Sequence, residues 1–557
     1  MSYVYGFFQA LPYFIILIGL LIFVHEAGHF IFAKLFKVKV HVFSLGFGPK
    51  LVGFTRGETL YKLSLIPIGG YVKMLGEDPT EEVLPEDRGR AFSDKPLLQR
   101  FLIIVGGPTM NLIFPLFLYF GAGLTHTDIY PAEVGTVLPG MPAYEAGIKP
   151  GDILESINGE RIYSFDEIAS KIAPRPGEKL SLVVRRGNET FERTLAPKPI
   201  VVPIILDEKE TIGRIGVALG YLPPLIGIDD PGSAASRSGL QSFDRVLKVN
   251  GKPVTRLIDL EEALIGAAGT TATLWVKSLA QNAAPPFFPF EDQFDKQSRQ
   301  VLLEVPAQVR SLTDLGIETS IDYVAHVSPD GAAEKIGLEK GDKLVSLDGS
   351  PIPLGQIFFA LNEKPDATRM LAWSRAGQRL EKPFKQTFIP AGEAGDLGVK
   401  RDTYDKGFWS ITGASVLPTK VPNPSLISSA ANYAVTETWS GLKMIGLGFK
   451  LLFQGRVSVR SLGGPIMIGQ LAGQAGQQGA ETFFWIMALI SLNLGIINLM
   501  PIPVLDGGQI AFIAIESITR RPLNRVLKER IMLVGVAMIL VLMCFVIWND
   551  VARLLVG

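Results

Sequence analysis

The chain has 557 residues, of which 47% are hydrophobic and only 19% charged. That length predicts several domains, and so large an apolar excess with so little charge belongs in lipid, not in a water-soluble multidomain protein. The 54 basic residues balance the 54 acidic ones, so no global field draws nucleic acid, and the single cysteine, Cys544, excludes an intrachain disulfide and any multi-cysteine metal site.

Four apolar stretches are long enough to span about 30 Å of hydrocarbon at about 1.5 Å per residue: Leu11 to Ala33, Phe101 to Leu124, Phe483 to about Pro501, and Ile531 to Trp548. The first lacks a basic leader and a small-residue cleavage site, which predicts a retained helix. Lysines and arginines crowd the segment from Lys34 to Arg100 and the segment from Arg520 to Arg530. Both loops are therefore expected on the cytoplasmic side, with the termini and the long central region on the far side.

The first span ends in His25-Glu26-Ala27-Gly28-His29. Residues i and i+4 share one helical face, so two imidazoles can meet one Zn²⁺ while the intervening glutamate reaches the water that such a metal activates. Ionisable residues in a membrane span are costly to bury, which marks this stretch as functional. The segment Glu58 to Leu65 alternates apolar and polar residues and is followed by Pro67 and Gly69-Gly70, a pattern that predicts a strand hairpin near the His-rich end. Its edge is expected to take up an unwound substrate as an added strand, with Leu63 in contact. In span two, Gly106-Gly-Pro-Thr-Met-Asn111 suits close helix packing.

Beyond span two a motif occurs three times. Pro139, Gly147, Asp152 and Asn158-Gly159 recur as Pro231, Gly239, Asp244 and Asn250-Gly251, and again as Pro329, Gly337, Asp342 and Asp348-Gly349. Each copy predicts a short helix between strands and an Asn-Gly or Asp-Gly hairpin turn. The pattern resembles the PDZ domain in its bacterial, protease-associated form, at 130–205, 210–308 and 313–400. The second copy departs from the others: Phe243 stands where the others have Gly151 and Gly341, and a Pro/Phe-rich insert at 281–300 is expected to form a surface loop. Resemblance to PDZ domains implies extracytoplasmic peptide ends as ligands, although steric spacing alone would also explain three copies.

Trp439, Leu442, Ile445, Phe449 and Leu452 make a stripe at helical spacing, predicting an interfacial amphipathic helix within a 425–480 linker. The third span runs into Asn498-Leu-Met-Pro501-Ile-Pro503-Val-Leu-Asp506-Gly-Gly508. The prolines stop the helix, and the glycines permit a tight turn that presents the Asp506 carboxylate as a candidate third ligand. His41, His126 and His326 are given no role.

The paired motifs, with PDZ copies between them, resemble the site-2 protease family of intramembrane zinc metalloproteases, in the regulator of sigma-E protease branch. The likeness covers almost the whole chain. It implies Zn²⁺ on His25, His29 and Asp506, with Glu26 as general base. Asn493 and Asn498, with Pro501 and Pro503, match positions implicated in holding substrate or orienting the site, and 44–75 matches a membrane re-entrant β-loop. The expected architecture is a multi-pass α-helical membrane protein with four transmembrane helices, in two core segments (1–125 and 481–557), bearing extracytoplasmic α/β PDZ-like domains. The expected setting is a bacterial inner membrane, and the expected partners are single-span membrane proteins already trimmed on the far side, such as an anti-sigma factor or a remnant signal peptide. An ion-coupled transporter and a non-catalytic PDZ scaffold are the rival readings.

Overall fold

The computed structural model describes residues 2–77, 81, 83–203, 209–281, 283, 285, 290–351, 355–389, 403–410, 415–456, 463–521 and 523–556. The chain forms two compact units, Met1–Thr127 with Ser425–Gly557, and Asp128–Pro424.

The first unit holds α1 (Ser2–Leu35), the hairpin β1 (Val40–Arg56) and β2 (Thr59–Met74), α2 (Leu97–Gly123), α3 (Leu426–Phe453), α4 (Pro465–Gln478), α5 (Ala480–Leu499), α6 (Asp506–Thr519) and α7 (Arg525–Val556). Four stretches within α1, α2, α5 and α7 are long and apolar enough to cross a membrane: Ala10–Leu35, Leu97–Gly123, Ala480–Leu499 and Val526–Ala552. In α7 only 6% of the apolar window is buried inside the protein, so the remaining side chains require lipid. Its far end is nonetheless tethered: the buried Asp550 accepts the backbone N–H groups of Gly464, Ile466 and Met467 at 3.0, 3.1 and 3.2 Å. The first N–H groups of a helix point away from its own carbonyls, which is why a carboxylate suits the N-terminus of α4. Of the Ser461-Leu-Gly-Gly-Pro465 loop, Ser461 and Leu462 lie outside the described residues.

Without a hydrophobic force between helices in lipid, small residues let backbones touch. A Cβ on Gly28 of α1 would lie 2.2 Å from the Gly106 carbonyl oxygen of α2, so the two helices cross at glycine on both sides. The same rule governs how α3, which carries the expected stripe, is packed. The large residues of the predicted stripe do not make its packed face: Trp439 is exposed, while Ala430, Ala434, Thr438 and Gly441 are buried. Gly123 of α2 has room only for a hydrogen against Ala430, whose Cα would sit 2.7 Å from an added Cβ. Close packing selected the small residues, while Leu442, Ile445, Phe449 and Leu452 of the stripe stay half-buried and Trp439 is exposed.

The hairpin is longer than expected and turns elsewhere. Its tight turn lies at Gly57, with φ +61°, between Arg56 and its partner Thr59; Gly69-Gly70 lies inside β2. The ladder folds back on itself: 50–56 pairs with 59–64, 42–47 also lies beside 60–66, and 40–45 pairs with 70–74. Leu63 therefore has partners on both sides, Val52 and Leu45, and lies on no free edge. An added strand needs backbone groups that no neighbouring strand takes, and the outer strands are 50–56 and 70–74, the latter with its Met74 N–H given to Glu77. Apolar side chains are exposed along the hairpin, among them Phe47, Leu51, Val52, Phe54, Leu63, Leu65 and Ile66, while the hydroxyls of Ser44 and Ser64 meet in the interior at 3.0 Å.

The second unit repeats one topology three times. Four-stranded antiparallel sheets are ordered 160–161, 153–157, 180–186, 189–195 in the first copy; 252–253, 245–249, 271–277, 299–304 in the second; and 350–351, 343–347, 369–375, 378–384 in the third. The repeated residues have repeated jobs. Asn158, Asn250 and Asp348 adopt φ of +50°, +49° and +51° in two-residue turns, and each side-chain oxygen accepts a third-strand N–H, from Ser181, Thr273 and Met370. Asp152, Asp244 and Asp342 are buried, and each accepts a backbone N–H from the residue three before it.

Each copy is closed by a strand beyond its expected end. Thr136–Val137 pairs with Val217–Ala218, Ile226–Gly227 with Glu318–Thr319, and His326–Val327 with Phe408–Trp409. The three cores follow suit, running from Ala132 to Ile215, from Ile226 to Ile317 and from Val324 to Phe408. The boundaries expected near 205, 308 and 400 fall short because the closing strand follows a linker that local patterning does not bridge.

The irregular second copy is accommodated by its neighbours. Phe243 keeps the left-handed backbone of the glycines it replaces, φ +71° against +88° at Gly151 and +97° at Gly341. A non-glycine residue there is strained by about 1–2 kcal/mol, offset by burying the ring with Leu225, Phe294 and Tyr323. Phe290, at the end of the Pro/Phe tract, packs on the same cluster, whereas Glu291, Asp292 and residues 295–298 of the insert are exposed. Residues 282, 284 and 286–289 of that tract lie outside the described residues.

Candidate metal centre

Two elements bring the three expected ligands together. His25 and His29 lie one turn apart on α1, and Asp506 opens α6. His25 Nε2 is 3.2 Å from Asp506 Oδ2, His29 Nε2 is 3.6 Å from Oδ1, and the two Nε2 atoms are 3.3 Å apart. Donors about 2.0–2.1 Å from one tetrahedral zinc stand about 3.3 Å from each other, and one donor atom from each of the three residues lies within 4.8 Å of the others, close to that spacing. Two imidazoles and a carboxylate are a zinc-type donor set, and they leave a fourth position open.

The surrounding residues make room for the cluster and aim it. A Cβ on Gly107 of α2 would sit 2.3 Å from His29 Nε2 and 2.9 Å from His25 Cε1, so only glycine leaves space beside both rings. His29 Nδ1 lies 2.9 Å from the Ile103 carbonyl oxygen; donating there places the ring proton on Nδ1 and leaves Nε2 a lone pair. His25 Nδ1 faces the Asn111 side chain at 3.2 Å. Asp506 is held by a turn that needs both following glycines: an added Cβ would meet the Met500 carbonyl oxygen at 2.1 Å from Gly507 and the Ile502 carbonyl oxygen at 2.4 Å from Gly508. Val504 in that turn has φ +101°, an uncommon geometry for a β-branched residue, held by the fold-back onto α6. Arg100 and Glu516, 3.4 Å apart, tie α6 to α2.

Glu26 lies beside the 70–74 strand: a Cβ on Gly70 would lie 3.1 Å from Glu26 Cγ. Other expected residues are distributed differently. Asn498 is buried one turn before the Asp506 loop, whereas Asn493 is exposed, because five residues along a helix turn a side chain onto another face. Pro501 is exposed and Pro503 partly buried, its carbonyl oxygen 2.6 Å from where a Gly535 Cβ would be. Leu63 lies in the paired interior of the sheet described above. Glu77 was missed: it follows β2 and interacts electrostatically with Glu26, His29 and Asp506. Its signal in the sequence is an acidic residue just after the strand that passes the site.

Two helical imidazoles with a glutamate between them, completed by a carboxylate from a distant turn, define a metallopeptidase-type centre among apolar helices. The chain matches Peptidase family M50 over residues 13–542 and belongs to that family. Over 98% of its length it is 28% identical to a Thermotoga maritima protein provisionally named a zinc metalloprotease, covering 100% of that protein. It is also 28% identical to the regulator of sigma-E protease RseP of Escherichia coli K12, over 99% of this chain and 100% of that one. A crystal structure of the PDZ domain of an SdrC-like protein from Listeria monocytogenes matches 17% of this chain and 87% of that chain at 16% identity, with a TM-score of 0.12.

Proposed function

We propose that this protein is an intramembrane zinc metalloendopeptidase that hydrolyses a peptide bond within or near the transmembrane segment of a single-span protein. The observation that carries the reading is the convergence of His25, His29 and Asp506 at zinc-type separations, beside Glu26 and among helices apolar enough to lie in lipid. The same arrangement disfavours a scaffold, which has no need of it, and a transporter, which has no need of a base beside three ligands. Zinc, when bound, supplies Lewis acidity toward the scissile carbonyl and makes a water acidic enough to attack near neutral pH. Glu26 takes the proton of that water and delivers it to the leaving amine, so no covalent intermediate with the protein is needed. Asn498, buried beside the Asp506 loop, is the better placed of the two asparagines to orient the site.

A helical substrate hides its carbonyls in its own hydrogen bonds and must unwind before attack. The 70–74 outer strand, next to Glu26, is the candidate partner for the unwound strand, and the exposed apolar side chains of the hairpin suit a re-entrant position in lipid. The basic loops support a metal centre on the cytoplasmic side of an inner membrane with the PDZ-like copies outside, where they would exclude untrimmed substrates by bulk or take peptide ends. An anti-sigma factor or a remnant signal peptide fits these requirements.

The test is cleavage of a reconstituted single-span substrate by wild type, by Glu26→Gln and by wild type after zinc chelation. Cleavage within the span by wild type alone is expected, with Glu26→Gln slowed by about 10² to 10⁴-fold while retaining zinc. Undiminished cleavage by Glu26→Gln refutes the assigned role.

A further inference from the structure

Asn111 is fully buried at the crossing of α1 and α2, where the neighbouring residues Gly106 and Gly107 are chosen for smallness. Packing alone does not explain an amide there. Its backbone is pinned from a third helix, since the Ser491 hydroxyl of α5 donates to the Asn111 carbonyl oxygen at 2.8 Å. The side chain faces His25 Nδ1 at 3.2 Å with its nitrogen, while its Oδ1 is buried without a hydrogen-bond partner.

That orientation conflicts with the centre it borders. An amide N–H donating to Nδ1 requires the ring proton on Nε2, and Nε2 is the atom that points at Asp506 and His29. A half-turn of the amide about χ2 exchanges its two heavy atoms at no change in shape. The oxygen then accepts the Nδ1–H and Nε2 carries a free lone pair, while the amide nitrogen takes the buried place that the oxygen leaves.

We propose that Asn111 is a positioning residue of the metal centre, its side-chain oxygen holding His25 in the Nδ1–H tautomer so that Nε2 is presented to the metal. The role rests on the reading of His25, His29 and Asp506 as ligands. It makes the two imidazoles equivalent, since both are aimed by acceptors on α2: His29 by the Ile103 carbonyl, His25 by the Asn111 amide. Gly106-Gly-Pro-Thr-Met-Asn111 thereby does two jobs, close approach through its glycines and ligand orientation through its last residue.

The experiment measures zinc affinity of the purified full-length protein by chelator competition, which needs no turnover. Asn111→Leu, similar in volume but unable to accept, is expected to lose about 10 to 100-fold in affinity. Asn111→Asp, which can only accept when ionised, is expected to bind zinc as tightly as wild type or more so. Zinc binding by Asn111→Leu at wild-type affinity overturns the proposal. So does a tenfold or greater loss in Asn111→Asp, because only a donating amide is lost by that change; this arm decides the matter if the leucine variant does not fold. His29→Ala, measured in parallel, separates the two levels. If affinity survives that change, the ligand set itself is wrong; if it is lost while Asn111→Leu is unaffected, only the positioning role fails.

Discussion

Replacing Gly107 by alanine tests the site through its steric limit. The added Cβ would stand 2.3 Å from His29 Nε2 and 2.9 Å from His25 Cε1, where ordinary contact begins at 3.4 Å. His29 must therefore retreat by about 1 Å, and it cannot do so freely, because its other nitrogen is bonded at 2.9 Å to the Ile103 carbonyl on the same helix as Gly107. A displacement of about 1 Å at a reacting centre lowers turnover by about 10²-fold, and a misaimed ligand lowers metal affinity by about 10 to 100-fold. Chelator competition gives the affinity, and cleavage of a single-span substrate gives the turnover. Gly121→Ala on the same helix is the control, since its Cβ meets nothing within 4 Å. Wild-type zinc affinity and cleavage in Gly107→Ala would refute the geometry of the centre.

Further perturbations address the rest of the chain. A photoreactive residue at position 73, on the edge beside Glu26, is expected to capture a substrate span, whereas one at position 52, on the opposite edge, is not; the reverse pattern assigns the added strand to 50–56. Arg299→Ala leaves the buried Asp244 carboxylate without its cation and is expected to destabilise the second copy by about 1–3 kcal/mol, below the range for a fully buried pair because the arginine is 40% exposed. Faster hydrogen exchange in Arg245–Val249 measures it, and an unchanged rate shows that Ser278 and the Gln241 amide suffice. Phe243→Gly relieves the positive φ but loses a buried ring worth about 3–5 kcal/mol, so a net loss of about 2–3 kcal/mol is expected; a more stable protein by the same exchange measurement would mean that strain dominates.

Much of this was readable from local patterns because local physics produced it. The spacing of His25 and His29 is a helical turn, the four spans are set by hydrocarbon thickness, and the Asn-Gly and Asp-Gly pairs report positive φ directly. Even the repeated aspartates announced themselves by their offsets. Their partners did not: Arg186 and Arg375 follow the same register, but in the second copy Ser278 occupies that place and Arg299 reaches in from the neighbouring strand across the insert. Only strand pairing makes that substitution visible.

By itself, the sequence determined which chemistry is present: histidines on one helical face, an aspartate in a glycine turn, and apolar length enough for lipid. Tertiary structure decided which groups meet and which way they point. It carried Asp506 to α1 across hundreds of residues, folded the hairpin back so that 70–74, and not Leu63, borders Glu26, and turned the small face of α3 inward. It also set Asn111 against His25. Such contacts depend on helix crossing and sheet register, which are fixed by packing over long separations and leave no periodic trace along the chain.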